Sequence, residues 1–438
     1  MRVLHITTEY PPIVYGGLGT AIGGLVTVSA RAGLQVAVVL VGHGSGVGYY
    51  RSDPDANCSA NVGLKKASNV TIWTVPHSGA LEASIDFARS WRPDVIHVHV
   101  FWLAHIVAAV RKATGAPVVY TVHSLDRAEY ELGQGPPECL SQWPIQADLI
   151  CDADRIVALT ADERALIGQY CPDVGDRVRV VGNGIADSDH ARNHARARCT
   201  RKSLTVLYTG RFVDRKGIKE LLAAAPAFLG SDPQVRLVMA GGHRGSSIDE
   251  LTRYWLPSTC EEVRDRILFT GWLNSEQMAA WYAEADILAV PSWYEPFGMV
   301  ILEGMLYGLP IVATSVGGPR EILTSERTGL FCEPKDMASL QAQVMRLIAD
   351  PELRLRLGRE AAVEVRSRWL YEHVLDGMNN VYEEAVSLRP AYLATAQEIL
   401  MIDEKTLSQS VGARHEMGYS RKCEGGSSSV SLVGSSIH

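Results

Sequence analysis

The sequence of 438 residues lacks several features that mark particular classes of protein. Its eight cysteines form no Cys-x-x-Cys pair, so neither a zinc site nor a dense disulfide framework is indicated, and a reducing cytoplasm fits. Basic residues (42) do not outnumber acidic ones (49), and the net charge of −7 offers no general attraction for nucleic acid. No nucleic-acid partner is therefore expected.

Long apolar runs are also missing. The apolar start at Met1–Ile6 is too short for a signal peptide, and no uninterrupted stretch reaches the roughly 18 residues needed to cross a bilayer. We therefore expect a cytoplasmic protein, with peripheral contact to the inner face of a membrane left open.

What is present is a regular alternation of short Val/Ile/Leu-rich runs with amphipathic segments of helical length, which is typical of βα units around parallel sheets. A hydrophobic content of 47% over this length favours two domains of about 150 to 200 residues each. In the first half the pattern predicts strands at Arg2–Thr7, Gln35–Val41, Val70–Val75, Asp94–Val98, Pro117–Val122, Arg155–Leu159 and Arg177–Val181.

A polar, arginine-rich interval over 186–202 interrupts this pattern, and a second series then begins. Its predicted strands are Leu204–Gly210, Val235–Ala240, Ile267–Thr270, Ile287–Val290, Pro310–Ala313 and Gly329–Phe331, followed by helices near Met337–Ala349 and Pro351–Trp369. The prediction is an α/β fold of two facing Rossmann-like domains, 1–185 and 186–370. An accessory, mobile tail is predicted over 391–438, which is rich in Ser and Gly from about Leu407 onward.

Two cations stand on a predicted strand-to-helix loop, where open α/β sheets bind ligands. Arg211 and Lys216 lie in the segment Gly210-Arg-Phe-Val-Asp-Arg-Lys-Gly217. Near amide groups at a helix start, they are suited to hold a diphosphate and to stabilise the charge on a departing nucleotide. The alternative is two solvated loop charges.

Two carboxylates follow a later strand. Glu295 lies in a Pro- and Gly-bearing loop, and Glu303 lies in the helix predicted to begin near Gly298. Carboxylates accept hydrogen bonds from sugar hydroxyls. The eight-residue spacing recurs in four other glutamate pairs, at 276 and 284, 352 and 360, 364 and 372, and 416 and 424, so position after a buried strand is what distinguishes this pair.

Three further features lie in the first half. The Gly16-Gly17 turn could bring amides to a phosphate or simply allow tight helix packing. His123 ends a predicted strand, where it could face an interdomain cleft. His97 and His99 share a strand face but have no third ligand at metal-site spacing, which favours a structural role.

These motifs together resemble glycosyltransferase family 4, which contains retaining enzymes of GT-B fold. The resemblance covers residues 1 to about 390. It rests on Gly-Arg-x4-Lys-Gly (Gly210–Gly217), Glu-x7-Glu (Glu295–Glu303), Gly317-Gly318-x-x-Glu321 and the Gly16-Gly17 loop.

The resemblance implies roles residue by residue. Arg211 and Lys216, after Gly210, would hold the diphosphate, Glu295 and His123 would contact the donor sugar, and Glu303 would bind the ribose. Trp272 and Leu273 would border the nucleobase. The other positions expected at the donor are Gly16, Gly17, Phe297, Gly298, Met299 and Val300. A final helix over 371–390 would return to the first domain.

The chain also resembles bacterial glycogen synthases, but Val14 occupies the position of their lysine, which disfavours ADP-glucose. We expect transfer of a hexose, with glucose from UDP-glucose favoured, to a saccharide or lipid-linked saccharide in polysaccharide biosynthesis. No metal is expected, since no Asp-x-Asp motif lies in a donor-site context. A sugar-nucleotide epimerase of the same fold and a non-catalytic nucleotide-sugar sensor are the alternatives.

Overall fold

The computed structural model describes residues 1–43, 48–51, 70–195, 203–243 and 245–388. The predicted tail over 391–438 lies outside these residues. The strands are β1 Arg2–Thr7, β2 Gln35–Val41, β3 Gly48–Arg51, β4 Val70–Val75, β5 Val95–Val98, β6 Val118–Val122, β7 Arg155–Ala158, β8 Val178–Val180, β9 Leu204–Gly210, β10 Val235–Gly241, β11 Ile267–Gly271, β12 Ile287–Val290, β13 Ile311–Thr314 and β14 Leu330–Cys332.

The helices are α1 Gly17–Arg31, α2 Ala80–Trp91, α3 Ala104–Thr114, α4 Asp126–Glu131, α5 Pro137–Asp152, α6 Ala161–Tyr170, α7 Asp189–Ala195, α8 Ile218–Ser231, α9 Ile248–Trp255, α10 Ser275–Glu284, α11 Met299–Leu306, α12 Gly317–Ile322, α13 Met337–Ala349, α14 Pro351–Arg368 and α15 Tyr371–Ser387. Within the described residues, none of these helices is both long and apolar enough to span a membrane.

The strands form two sheets. The first has the order β3-β4-β2-β1-β5-β6-β7-β8 and the second the order β11-β10-β9-β12-β13-β14. The described pairings are parallel except that between β3 and β4. All six residues of β2 after Gln35 are buried, as expected for apolar runs covered on both faces. The predicted α/β class is confirmed.

Each sheet has a point where the chain reverses the direction in which strands are added. In the first sheet this point lies between β1 and β5, and in the second it lies between β9 and β12. Loops leaving the carboxyl ends of such neighbouring strands diverge and leave a crevice that binds ligands. The loops after β1, β9 and β12 carry Gly16, Arg211 and Glu295, so the topology places all three motifs at crevices.

Two elements lie where the sequence pattern predicted none. The strand β3, which pairs antiparallel with β4, was not predicted. The polar interval after Ile185 contains the helix α7, whose Ala191 is fully buried against the second half. A single small apolar residue among polar ones gives too weak a periodic signal to predict a helix.

The chain passes between the two halves at adjacent points, where Ile185 and Leu370 form an isolated parallel bridge. Beyond the second crossing, α15 packs against α1 and against strands of the first sheet. Tyr371 and Tyr382 of α15 are buried in the same apolar cluster as Val3 and Val157. The last described helix is therefore part of the first half's core.

Candidate functional site

A cleft of about 890 Å³ lies between the two halves. Its lining includes every residue that the sequence analysis placed at the donor or in catalysis: Gly16, Gly17, His123, Gly210, Arg211, Lys216, Trp272, Leu273, Glu295, Phe297, Gly298, Met299, Val300 and Glu303. These positions come from both halves of the chain. The fold thus brings the separate motifs into one cavity.

Two helices begin at this cleft with uncapped amino ends. The helix α1 starts after Gly16 and α11 starts after Gly298, and neither has a side-chain cap or an acidic residue in its first turn. Gly298 has φ of 100°, a conformation that favours glycine. Free N–H groups and the positive end of the helix dipole make such ends suited to bind anions.

The second half contributes a partly buried ion pair to the cleft. Lys216 Nζ donates to Glu295 Oε2 at 2.5 Å, and Ser292 Oγ donates to the same oxygen at 3.0 Å. Burial alone would raise the pKa of Glu295, but Lys216 and Arg215 hold it below its ordinary value. Burial lowers the pKa of Lys216 from its ordinary value. The Glu295 carboxylate therefore stays ionised and fixed in place.

Arg211, unlike Lys216, has no side-chain partner among the described residues. Its side chain is exposed in the cleft, and its guanidinium makes no hydrogen bond or ion pair with the described residues. The loop is held instead through the backbone, since Tyr208 donates its hydroxyl proton to Arg211 O at 3.0 Å. A guanidinium so placed can meet an incoming phosphate without first breaking another contact.

Arg215 is a cleft residue that the sequence analysis missed. Its Nε donates to Glu129 Oε1 at 2.9 Å, and its Nη1 donates to Tyr294 O at 3.3 Å. Tyr294 in turn accepts a hydrogen bond on its hydroxyl oxygen from Leu125 N at 3.0 Å. Arg215 therefore joins the two halves at the cleft. The sequence signal that could have identified Arg215 is its position between Arg211 and Lys216 in the motif.

Glu303 has a different environment from Glu295. Tyr282, which the sequence analysis also missed, donates its hydroxyl proton to Glu303 Oε2 at 2.5 Å. Burial raises the pKa of Glu303 to about 7, and the tyrosine only partly offsets this. Glu303 thus changes charge near neutral pH, whereas Glu295 does not. The two carboxylates of the motif have separate chemistry because only one of them has a cation beside it.

The Gly317-Gly318 motif acts through packing. Gly318 N donates to Glu295 O at 2.9 Å. A Cβ added at Gly318 would lie only 1.6 Å from Phe297 O, and one added at Gly317 would lie 2.3 Å from Glu295 O. Both glycines therefore allow the loop that carries Glu295 to rest directly on the start of α12.

Sequence spacing shows no third ligand beside His97 and His99, but the fold brings another imidazole close to them. The neighbouring strand β1 brings His5 opposite His97, and ring nitrogens of the three lie within 4.8 Å of one another. Both nitrogens of His97 are already bonded, to Tyr382 Oη at 2.8 Å and to Thr121 Oγ1 at 2.7 Å. His5 and His99 instead join a hydrogen-bonded row that ends at His123.

Two Rossmann-like domains that face each other across a cleft, with a diphosphate-compatible cation pair on one side, define the GT-B class of glycosyltransferases. Comparison with known proteins agrees. The protein-family model described as "Glycosyl transferase 4-like domain" matches residues 16–184. A second family model, described as "Glycosyl transferases group 1", matches residues 190–363.

Individual relatives cover nearly the whole chain. The glycogen synthase of Mycobacterium tuberculosis is 29% identical over 87% of this chain and 94% of its own length. The D-inositol 3-phosphate glycosyltransferase of Acidothermus cellulolyticus is 30% identical over 89% of this chain and 91% of its own length. The Anabaena protein HepE, solved with UDP-glucose, superposes with a TM-score of 0.66 at 18% identity, over 89% of this chain and 100% of that one. This chain therefore belongs to glycosyltransferase family 4.

Proposed function

We propose that this protein transfers glucose from UDP-glucose to an unphosphorylated saccharide, with retention of configuration and without a bound metal. The observation that carries the proposal is the composition of the cleft. Arg211, Lys216 and Glu295 on one wall face His123 on the other. A nucleotide sugar between these walls would have its diphosphate beside the cations and its hexose between Glu295 and His123.

The donor proposal rests on the cleft and on one residue that differs from the glycogen synthase pattern. Val14 lines the cleft where the resemblance to glycogen synthases would require a lysine. This departure from the glycogen synthase pattern disfavours ADP-glucose. HepE, which shares the fold, was solved with UDP-glucose, and this supports UDP-glucose as the first donor to test.

The acceptor proposal rests on charge. Among the described residues that line the cleft, those from the first half include Glu9, Asp126 and Glu129 but no lysine or arginine. Glu129 is neutralised by Arg215, whereas Asp126 has no cationic partner among the described residues. Burial and then Glu129 raise the pKa of Asp126 to about 6, so it is still largely ionised at neutral pH. The carboxylates of Glu9 and Asp126 would repel a phosphorylated acceptor and accept hydrogen bonds from hydroxyl groups.

The mechanism follows from what each group can do. As the bond from sugar to diphosphate breaks, negative charge grows on the phosphate oxygens, and Arg211, Lys216 and the amide ends of α1 and α11 can stabilise it. Glu295 is paired with Lys216, which leaves it suited to hold a sugar hydroxyl and unsuited to attack the anomeric carbon. We infer that the acceptor attacks from the face that the diphosphate leaves.

Thermal unfolding with a panel of nucleotide sugars tests the donor, because a ligand that binds only the native state raises its stability. UDP-glucose should give the largest rise in Tm, and a larger rise with ADP-glucose would contradict the donor proposal. Incubation with UDP-glucose then discriminates the alternatives. A transferase passes labelled glucose to an added neutral oligosaccharide, whereas an epimerase converts the UDP-sugar without an acceptor and a sensor changes nothing.

The same assay tests the acceptor class. Transfer to a neutral oligosaccharide should exceed transfer to glucose 6-phosphate or inositol 3-phosphate at equal concentration. The variant Asp126→Asn should lower the ratio of transfer to the neutral acceptor over transfer to the phosphorylated acceptors, since it removes the unpaired carboxylate with little change of shape. A wild-type preference for the phosphorylated acceptors would refute the acceptor proposal and leave the donor proposal standing.

A further inference from the structure

Three imidazoles form a row from the centre of the first sheet to the cleft. His5 Nδ1 lies 2.9 Å from His99 Nε2, and His99 Nδ1 lies 3.1 Å from His123 Nε2. His5 and His99 are buried, and His123 lines the cleft. Both nitrogens of His99 and one nitrogen of each end residue are therefore engaged. His123 Nδ1 is the ring nitrogen left for a ligand in the cleft.

All three imidazoles are neutral at physiological pH. Burial lowers the pKa of His5 and that of His123 to about 3. Burial, reinforced by His97, His5 and His123, holds the pKa of His99 well below its ordinary value. A neutral imidazole carries one N–H donor and one acceptor lone pair. Each contact in the row must therefore join an N–H to a lone pair.

This requirement couples the three tautomers. If His5 donates from Nδ1, then His99 must also donate from Nδ1, and His123 must present Nδ1–H to the cleft. If His123 donates from Nε2, then every bond runs the other way, and His123 presents a lone pair to the cleft. A mixed row would place two N–H groups or two lone pairs against each other, so the row has only two satisfied states.

The inner end of the row distinguishes these states. His5 Nε2 is buried and has no hydrogen-bond partner among the described residues. In the first state this atom is an unused lone pair, and in the second it is an unused N–H. Buried N–H groups without an acceptor are rarer in proteins than acceptors that lack a donor. The first state, in which all three residues carry Nδ1–H, is therefore favoured.

We propose that His5 and His99 are positioning residues that fix the tautomer of His123, so that His123 donates Nδ1–H to an oxygen of the ligand in the cleft. For its ligand, the nucleotide sugar, this inference rests on the proposed function. The neutral row supplies a donor of fixed direction without burying a positive charge beside Arg211 and Lys216. It assigns a role to His99, for which sequence reasoning favoured a purely structural one.

Histidine tautomers can be read directly by ¹⁵N NMR of protein labelled at histidine, because protonated and unprotonated ring nitrogens have distinct shifts and couplings to the ring protons. Signals are assigned by single histidine substitutions. The expected spectrum at neutral pH has protons on Nδ1 of His5, His99 and His123. A proton on Nε2 of His123 would overturn the proposal. This reading needs no substrate, so it stands even if the proposed donor is wrong.

A matched pair of variants tests the coupling. In His5→Asn the amide N–H can replace the Nδ1 donor. In His5→Asp, compared at a pH above the pKa of the buried carboxyl, a carboxylate of nearly the same shape can only accept. The asparagine variant should keep the proton on Nδ1 of His123. The aspartate variant should shift it to Nε2 of His123, although His99 lies between the substituted residue and His123. A role in packing alone would give both variants the same His123 tautomer, and that result would refute the proposal.

The same pair gives a functional readout. The KM for the donor should rise about tenfold in His5→Asp relative to His5→Asn, as expected for one lost hydrogen bond. Binding of UDP alone should be similar in both, since His123 is placed at the sugar. Equal donor KM values in the two folded variants would contradict the role in binding. If the aspartate variant does not fold, the wild-type tautomer decides the proposal.

Discussion

At the scale of single residues, Lys216 tests the proposed chemistry. The variant Lys216→Ala should lower kcat by roughly a hundredfold or more, because it removes a fixed cation from the site where charge develops. The KM for the donor should change less, since the charge is greatest in the transition state. Steady-state kinetics with UDP-glucose measure both quantities.

A nearby lysine provides the control. Lys219 also follows β9 but is exposed, pairs with Asp214 at 2.7 Å and does not line the cleft. The variant Lys219→Ala should keep nearly normal kinetics. If Lys216→Ala keeps a normal kcat while only KM rises, Lys216 merely binds the donor, and its catalytic role is wrong.

Glu303 should make donor binding depend on pH. The pKa near 7 means that the carboxyl is protonated below that pH, when it can accept fewer hydrogen bonds from the ribose hydroxyls. Binding of the hydroxyls favours the ionised form, so affinity should rise as pH rises. Calorimetry should show a Kd for UDP-glucose that falls by roughly tenfold between pH 6 and pH 8, if the ionised form alone binds well.

The variant Glu303→Gln supplies the control for this pH dependence. It keeps the shape of the side chain but cannot titrate, so its Kd should be higher than that of the wild type at pH 8 and nearly independent of pH. A wild-type affinity for UDP-glucose that does not change with pH, or that falls as the pH rises, would show that Glu303 does not meet the hydroxyls as a carboxylate.

The residues that the sequence could predict were those within continuous motifs, such as Arg211 and Glu295, because motif and strand end lie together in the chain. Tyr282 and His5 could not be predicted. Each contacts a partner that lies on a different strand or helix, and spacing along the sequence does not predict such contacts. Their roles become visible only when the sheet order is known.

At the scale of elements, the start of α12 should control the Glu295 loop. In Gly318→Ala the added Cβ would overlap Phe297 O, which forces the loop to shift. The variant should lose about 1–3 kcal/mol of stability, as for other overpacked sites, and should lose activity because Glu295 moves with the loop. Denaturant unfolding and kinetics measure the two effects.

Gly230 in α8 offers a matched glycine. A Cβ at Gly230 meets no atom within 4 Å, so Gly230→Ala should keep activity and gain about 0.5–1 kcal/mol of stability from reduced backbone freedom. Equal stability and equal activity of Gly318→Ala and Gly230→Ala would contradict the packing role of Gly318.

Strand elements were predictable because parallel strands buried on both faces appear as continuous apolar runs, and β1, β2, β4 and β9 have the predicted bounds. β3 was not predictable in this way. It is a short antiparallel strand that pairs only with β4, and its Gly-Tyr-Tyr-Arg sequence gives no apolar run.

At the scale of the whole molecule, the donor should bring the halves closer together. His123 lies in one half and Arg211 in the other, so one ligand that binds both favours a closed arrangement. The paired crossings at Ile185 and Leu370 are the natural hinge. X-ray scattering should show a smaller radius of gyration with saturating UDP-glucose than with glucose alone. An unchanged radius with a donor shown to bind would exclude large closure.

The central claim is retaining, metal-independent transfer from UDP-glucose, and the anomeric configuration of the first product tests it most directly. The reaction is followed by ¹H NMR with UDP-glucose and a neutral oligosaccharide acceptor, in the presence of a chelator. Retaining, metal-independent transfer should give an α-linked product, formed at the same rate with or without the chelator. A β-linked product, or turnover that stops with the chelator and returns with magnesium or manganese, would contradict it.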